Sequence, residues 1–204
     1  MEILQMINLK ELPTLLPHNI DWPQIFNNDN DIDVEIGCGR PHFFFDRAHG
    51  FKDRNIVAME WKYEFIKRAH ARIIRDGLKN ALALHGNAWL LLPLLFSKSS
   101  ISNVFINFPD PWWKERHKKR LLLNEVFLDC LRERTKGDGS ILLQTDVEGL
   151  FSHYCQLMGG HGGFKLDVGM NDDVIKDWSQ AQSHREKKCL EQGLPIYRAL
   201  FRPT

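Results

Sequence analysis

Along this chain, short apolar runs stop at polar residues and alternate with longer amphipathic stretches. The first clear run is Ile32-Asp33-Val34-Glu35-Ile36, where β-branched residues alternate with acids in a strand pattern. Gly37 and Gly39 follow at once, where a strand-to-helix turn belongs. Residues 41–48 read as that helix, with Pro41 near its start. A second strand is expected over residues 55–60. Residues 62–75 read as a helix, with Phe65, Ala69 and Ile73 on one face and Gly77 beyond its end. A third strand is expected over 81–85, then a short helix or loop over 87–96, interrupted by Pro93. The fourth strand is expected over 103–107.

Further on, residues 124–134 read as a helix and Gly137-Asp138-Gly139 as a turn. A fifth strand over 140–145 ends at Asp146, and a helix covers 148–158. The glycine-rich segment 159–163 reads as a connector, because no P-loop lysine follows it. Two last strands are expected over 164–168 and 196–201. Residues 1–30 read as a lead-in, where Pro13, Pro17 and Pro23 prevent a long helix and 27–30 form a loop. Strands that alternate with helices imply an α/β fold with a mostly parallel sheet, antiparallel at its end. The length of 204 residues fits one domain spanning the chain.

Composition narrows the classes. A hydrophobic content of 43% suits a globular core, and no window resembles a membrane span. The N-terminus lacks the charge and apolar core of a secretion signal, so a cytoplasmic protein is expected. Cys38, Cys130, Cys155 and Cys189 lie far apart, and the histidines show no ligand spacing, so neither metal nor a disulfide framework is expected. With a formal net charge of +1, any contact with nucleic acid must come from a local patch. Nothing in the residues speaks to a protein partner or to self-association.

Candidate chemistry gathers where the strands end. In doubly wound sheets ligands lie beyond the carboxyl ends of the strands. There stand Glu35 with Gly37 and Gly39, then Glu60, Asn87, Asp110 and Asp146. Glu60 follows Gly39 by roughly 20 residues, the distance at which an acid reaches ribose hydroxyls. The turn Gly37-Cys38-Gly39-Arg40-Pro41-His42 lacks the last glycine of a dinucleotide fingerprint. The acid at Glu35 suits a cationic ligand better than a pyrophosphate, so S-adenosylmethionine fits. After strand four comes Phe108-Pro109-Asp110-Pro111-Trp112-Trp113, where two prolines restrict the acid between them. Lys114, Arg116, His117, Lys118, Lys119 and Arg120 follow, opposed only by Glu115. A rigid acid, aromatics and cations together point to a base handled beside its phosphates.

These residues resemble the tRNA (guanine-N7-)-methyltransferases. E-I-G-C-G, A-M-E, G-N-A, F-P-D-P-W-W-K-E-R-H-K-K-R and Q-T-D stand in the family's order over about residues 31–198. Ser183-His184-Arg185-Glu186 is similar to its C-terminal T-x-x-E segment. The resemblance implies a Rossmann-like class I methyltransferase fold, with sheet order 3-2-1-4-5-7-6, acting on a guanosine in the tRNA variable loop. It implies that Glu35, Glu60, Asn87 and Asp110 contact S-adenosylmethionine. Lys114, Asp146 and the segment from Ser183 to Glu186 would contact tRNA, with Arg116, Lys118, Lys119 and Arg120 on its phosphates. Asp110, Asp146 and Glu186 are expected to converge on one pocket, Glu186 arriving as a lid, with Asp110 as the catalytic residue. This sequence departs from the family at Pro41, where a glycine is usual, and at Ser183, where threonine is usual. Two other readings remain open: a family member acting on another RNA or guanine-containing substrate, and a non-catalytic RNA- or partner-binding protein with a degenerate pocket.

Overall fold

The computed structural model describes residues 20–111, 121–167 and 180–204. Its strands are β1 (Ile32–Ile36), β2 (Asn55–Glu60), β3 (Ala81–His85), β4 (Ile101–Asn107), β5 (Thr135–Thr145), β6 (Phe164–Leu166) and β7 (Tyr197–Pro203). They form one sheet in the order β3-β2-β1-β4-β5-β7-β6. The pairs from β3 to β5 are parallel, and β7 runs antiparallel to both β5 and β6. This is the strand order that the resemblance implies. Chain order reverses between β1 and β4, so a crevice opens beyond their carboxyl ends.

The helices are α1 (Trp22–Phe26), α2 (His42–Gly50), α3 (Tyr63–Arg75), α4 (Ala88–Leu95), α5 (Glu125–Arg134), α6 (Glu148–Gly160) and α7 (His184–Gln192). Alternation along β1 decides which face each residue joins. Val34 and Ile36 pack into a core with Leu91, Leu92, Phe127 and Tyr154. The opposite face gathers Phe43, Phe44 and Phe45 of α2 with Ile66, Phe105 and Leu142. Asn28 stitches the loop before β1, accepting from Asn30 N at 3.0 Å and Asn55 Nδ2 at 2.8 Å.

Several boundaries differ from expectation for local reasons. Gly137-Asp138-Gly139 is no turn but part of β5, which shifts register against β4 between Ile101 and Asn103. A Cβ on Gly139 would stand 2.5 Å from the Ser102 carbonyl oxygen, so glycine serves close strand approach here. Residues 88–95 are helical despite Pro93, and Asn87 caps the start by accepting from Trp89 N at 3.0 Å. On α3 the buried residues are Ile66 and Ala69, and Phe65 turns instead toward the crevice. Helix α6 runs on through Gly160, and β4 begins at Ile101. Helix α7 was not expected as a helix. No helix among the described residues is long and apolar enough to cross a membrane.

Candidate active site

A cavity of about 1010 Å³ lies beyond the carboxyl ends of β1, β2 and β4. Its floor is the turn after β1. Gly37 and Gly39 have φ of +73° and +49°, which glycine adopts without strain. Backbone bonds from Gly37 N (2.8 Å) and Cys38 N (3.2 Å) to the Met59 carbonyl tie the turn to β2. Glu60 completes the tie, accepting from Gly39 N at 2.9 Å through Oε2 and from Lys62 N at 2.8 Å through Oε1. Each carboxylate oxygen retains a second lone-pair site.

Glu35 stands beside this turn, 1% exposed. Its Oε1 accepts from Asn107 Nδ2 at 2.9 Å, while its buried Oε2 has no hydrogen-bond partner among the described residues. Burial pushes the carboxyl up to about 8, and the Glu60 charge adds to the rise against the Asn107 donor and the Phe44 backbone amide. Burial likewise raises the Cys38 thiol, with Glu35 and Glu60 adding to it, so this cysteine stays protonated.

The facing wall comes from the turn after β4. Phe108 has φ of +50°, a conformation that costs a non-glycine residue on the order of 1 kcal/mol or more. Its N–H donates to the Gln144 carbonyl at 2.7 Å and holds the bend. Pro109 and Asp110 thereby reach the cavity, with the Asp110 side exposed at the rim. Ser183, His184 and Arg185 at the start of α7 close a third side. His184 Nε2 lies 2.6 Å from Arg40 Nη1. Because arginine only donates, that nitrogen is an acceptor and the imidazole is neutral. Burial, followed by the charges of Arg40 and His42, holds His184 below its ordinary range.

Two polar rungs cross the face of the sheet that carries Glu35. In the lower one Asp33 accepts from Asn103 Nδ2 at 2.7 Å, and Asn103 Oδ1 accepts from Ser140 Oγ at 2.7 Å. Arg47 and Arg54 neutralise Asp33. In the upper one Asn107 links Glu35 to Gln144, whose Nε2 donates to Asn107 Oδ1 at 2.7 Å. Gln144 continues to Glu186 (3.2 Å) and accepts from Arg198 Nε (3.1 Å), while Arg198 Nη2 donates to Glu186 at 2.8 Å.

A family model described as "Putative methyltransferase" matches residues 29–199. A tRNA (guanine-N(7)-)-methyltransferase of Oceanobacillus iheyensis is 32% identical, over 87% of this chain and 83% of that protein. The chain belongs to the tRNA (guanine-N7-)-methyltransferase family. A relative of the same name from Lactobacillus delbrueckii subsp. bulgaricus is 34% identical over the same shares. The solved 16S rRNA methyltransferase KamB superposes with a TM-score of 0.64 at 15% identity, covering 93% of this chain and 96% of that one. That likeness shows the shared fold alone.

Of the residues singled out in this family member, Glu35, Gly37, Gly39, Glu60, Asn87, Asp110 and Ser183 line the one cavity. Asp146 is not in its lining; it pairs with Arg185, which is, through Nε at 3.1 Å. Glu186 is not a lid. It is 1% exposed and closes a capping box with Ser183, its carboxylate accepting from Ser183 N at 3.2 Å and its N–H donating to Ser183 Oγ at 3.1 Å. The expected meeting of three acids therefore reduces to Asp110 in the cavity and two acids that act on its wall through neighbours. Lys114, Arg116, Lys118, Lys119 and Arg120 lie outside the described residues. Sequence reasoning passed over Asn107, Gln144, Arg198 and Trp61, the last 71% exposed at the cavity mouth. The available signal was an amide ending an otherwise apolar strand, at Asn107 and again at Gln144. Among the described residues no group of three or more His, Cys, Asp or Glu could hold a metal ion.

Proposed function

We propose that this chain transfers a methyl group from S-adenosylmethionine to N7 of a guanosine in tRNA. The observation that carries the reading is one cavity, at the topological switch point, walled by Glu35, Glu60 and Asp110 in a member of this family. The turn at Gly37 and Gly39 leaves open space where side chains would stand, and the buried Glu35 Oε2 lacks a partner. Three carboxyl groups around one cavity suit a ligand bearing an ammonium and a sulfonium, and would repel a pyrophosphate. The residues fit. Glu35, Glu60, Asn87 and Asp110 would hold the donor, which supplies an electrophilic methyl group when bound.

Guanine N7 carries a free lone pair, so the protein has no proton to remove before attack. Its task is alignment of the nucleophile, the methyl group and the leaving sulfur. The base gains positive charge as it is methylated, and the Asp110 carboxylate at the rim offsets that charge. Asp110 also has free acceptor capacity for the guanine ring N–H and amino group. On the substrate side Ser183 meets the nucleotide, with Asp146 and Glu186 acting through Arg185 and the capping box. The basic run of Lys114, Arg116, Lys118, Lys119 and Arg120 supplies phosphate contacts. A tRNA substrate puts the work of the enzyme in the cytoplasm.

Incubation with methyl-labelled S-adenosylmethionine and unmodified tRNA, followed by nucleoside analysis, tests the reading. Label in 7-methylguanosine is the expected result. Label at another atom or in another RNA, or no transfer, would overturn it.

A further inference from the structure

The upper rung can run in one sense only. Asparagine and glutamine amides usually leave the places of their O and N to be assigned. Here Arg198 decides, because a guanidinium has no acceptor. Gln144 must therefore turn Oε1 toward Arg198 Nε (3.1 Å) and Nε2 toward Asn107 Oδ1 (2.7 Å). Asn107 must then present Nδ2 to Glu35 Oε1 (2.9 Å). This commits Oε1 as an acceptor and leaves Oε2, which has no partner among the described residues, as the atom of Glu35 free to meet a ligand. The second hydrogen of Gln144 Nε2 goes to Glu186 Oε2 at 3.2 Å. Glu186 closes the capping box that starts α7, and Ser183, His184 and Arg185 there form a wall of the cavity. One side chain thus touches both chains of bonds, one leading to the donor side and one to the substrate side.

We infer that Gln144 is a positioning residue that couples the two sides of the cavity, orienting Glu35 through Asn107 while seating the N-terminus of α7 through Glu186. The inference rests on the methyl-donor reading above. Its physical basis is polarisation along a buried hydrogen-bond chain. A cationic ligand at Glu35 favours the carboxylate, which strengthens the Asn107 donor. The polarised Asn107 carbonyl then draws on Gln144, and Gln144 on Arg198. The Arg198–Glu186 pair and the capping box lie at the far end of that chain. Filling the donor side therefore favours the seated α7, and tRNA held by the seated α7 favours the donor by the same factor. Titratable groups facing Glu35 are Glu60 from the end of β2 and Cys38 from the turn, and neither belongs to this chain of bonds.

The test is a calorimetric titration of the full chain with sinefungin, a cationic analogue that cannot transfer a methyl group. It is run with and without unmodified tRNA. Wild type should bind sinefungin at least about fivefold more tightly with tRNA present. Gln144→Met keeps the length and removes both ends of the amide. Arg198→Lys keeps a cation for Glu186 and removes the forked guanidinium that bonds Gln144 and Glu186 together, so it decides the matter should Gln144→Met not fold. In both variants the tRNA-dependent factor should fall to within about twofold of one. A purely structural role would lower the melting temperature and leave that factor intact. Folded variants with the full wild-type factor, or a wild type that binds sinefungin with no tRNA dependence, would overturn the inference. A wild type that binds no sinefungin at all would overturn the functional reading and this inference with it.

Discussion

Asp33 and Glu35 occupy the same strand, point to the same face and are each 1% exposed. Both accept from an asparagine of β4, and each asparagine is held by a side chain of β5. The two rungs differ in where the positive charge sits. At the lower rung Arg47 and Arg54 stand against the acid itself. At the upper rung the arginine is at the opposite end, paired with Glu186, and Glu35 faces the cavity without a cation. Equal burial thus carries opposite meanings. A neutralised acid fastens the fold, whereas an acid left without its counter-charge leaves room for a cationic ligand.

Breaking the lower rung should have the largest effect. Asp33→Ala strands Arg47, which is 5% exposed, and removes the nearer of the two acids paired with Arg54, which keeps Asp31. Loss of one member of a buried pair costs roughly 3–5 kcal/mol. Urea unfolding should show that loss with little change in slope; a cost below about 1 kcal/mol would refute the assigned role of this rung.

The upper rung should respond to pH instead. A carboxyl raised from 4.5 to about 8 binds a proton in the folded state that the unfolded chain has released. The stability of the ligand-free protein should therefore fall as pH rises through that window and level off above it, by on the order of a few kcal/mol. Glu35→Gln should remove this part of the slope and be the more stable form at pH 9. Parallel melting curves for the two proteins from pH 5 to 9 would contradict the assignment.

Glu60→Ala tests the cavity floor. Loss of a carboxylate that can bond ligand hydroxyls should weaken S-adenosylmethionine binding by about 1.5–3 kcal/mol per lost bond. Calorimetry showing unchanged affinity would remove Glu60 from the site. The smallest effect is expected at Pro41, which is the N-cap of α2 with φ of −78°. Pro41→Gly should cost about 0.4–1 kcal/mol of stability through the unfolded chain and leave donor affinity unaltered. A marked gain in donor affinity would mean that proline impairs the pocket.

What could be read beforehand follows from how local each signal is. The strands announce themselves because apolar runs stop at Gly37, Glu60, Asn107 and Gln144, and alternation is a property of neighbours in the chain. The same locality exposed Glu35, Glu60 and Asp110 as cavity acids. Gly137-Asp138-Gly139 misled because its glycine serves a contact with Ser102, in another strand. Helix α7 escaped because only Glu186 and Cys189 are buried on it, too few to set a period. Its local signal was the capping box of Ser183 and Glu186 with Gly193 in the left-handed C-cap, a pattern of punctuation rather than of hydrophobicity. The rungs could not be read at all. Asn107 reaches Glu35 across 72 positions and Gln144 across 37, and only the sheet brings them together.

The most direct test of the account is the rate of 7-methylguanosine formation in tRNA by wild type and by Asp110→Asn, measured in single turnovers with saturating S-adenosylmethionine. The substitution keeps the shape of the side chain and removes the charge that offsets the methylated base. A loss on the order of 10²-fold or more in rate, with tRNA binding retained, is the predicted result. A rate in Asp110→Asn close to that of wild type would contradict it.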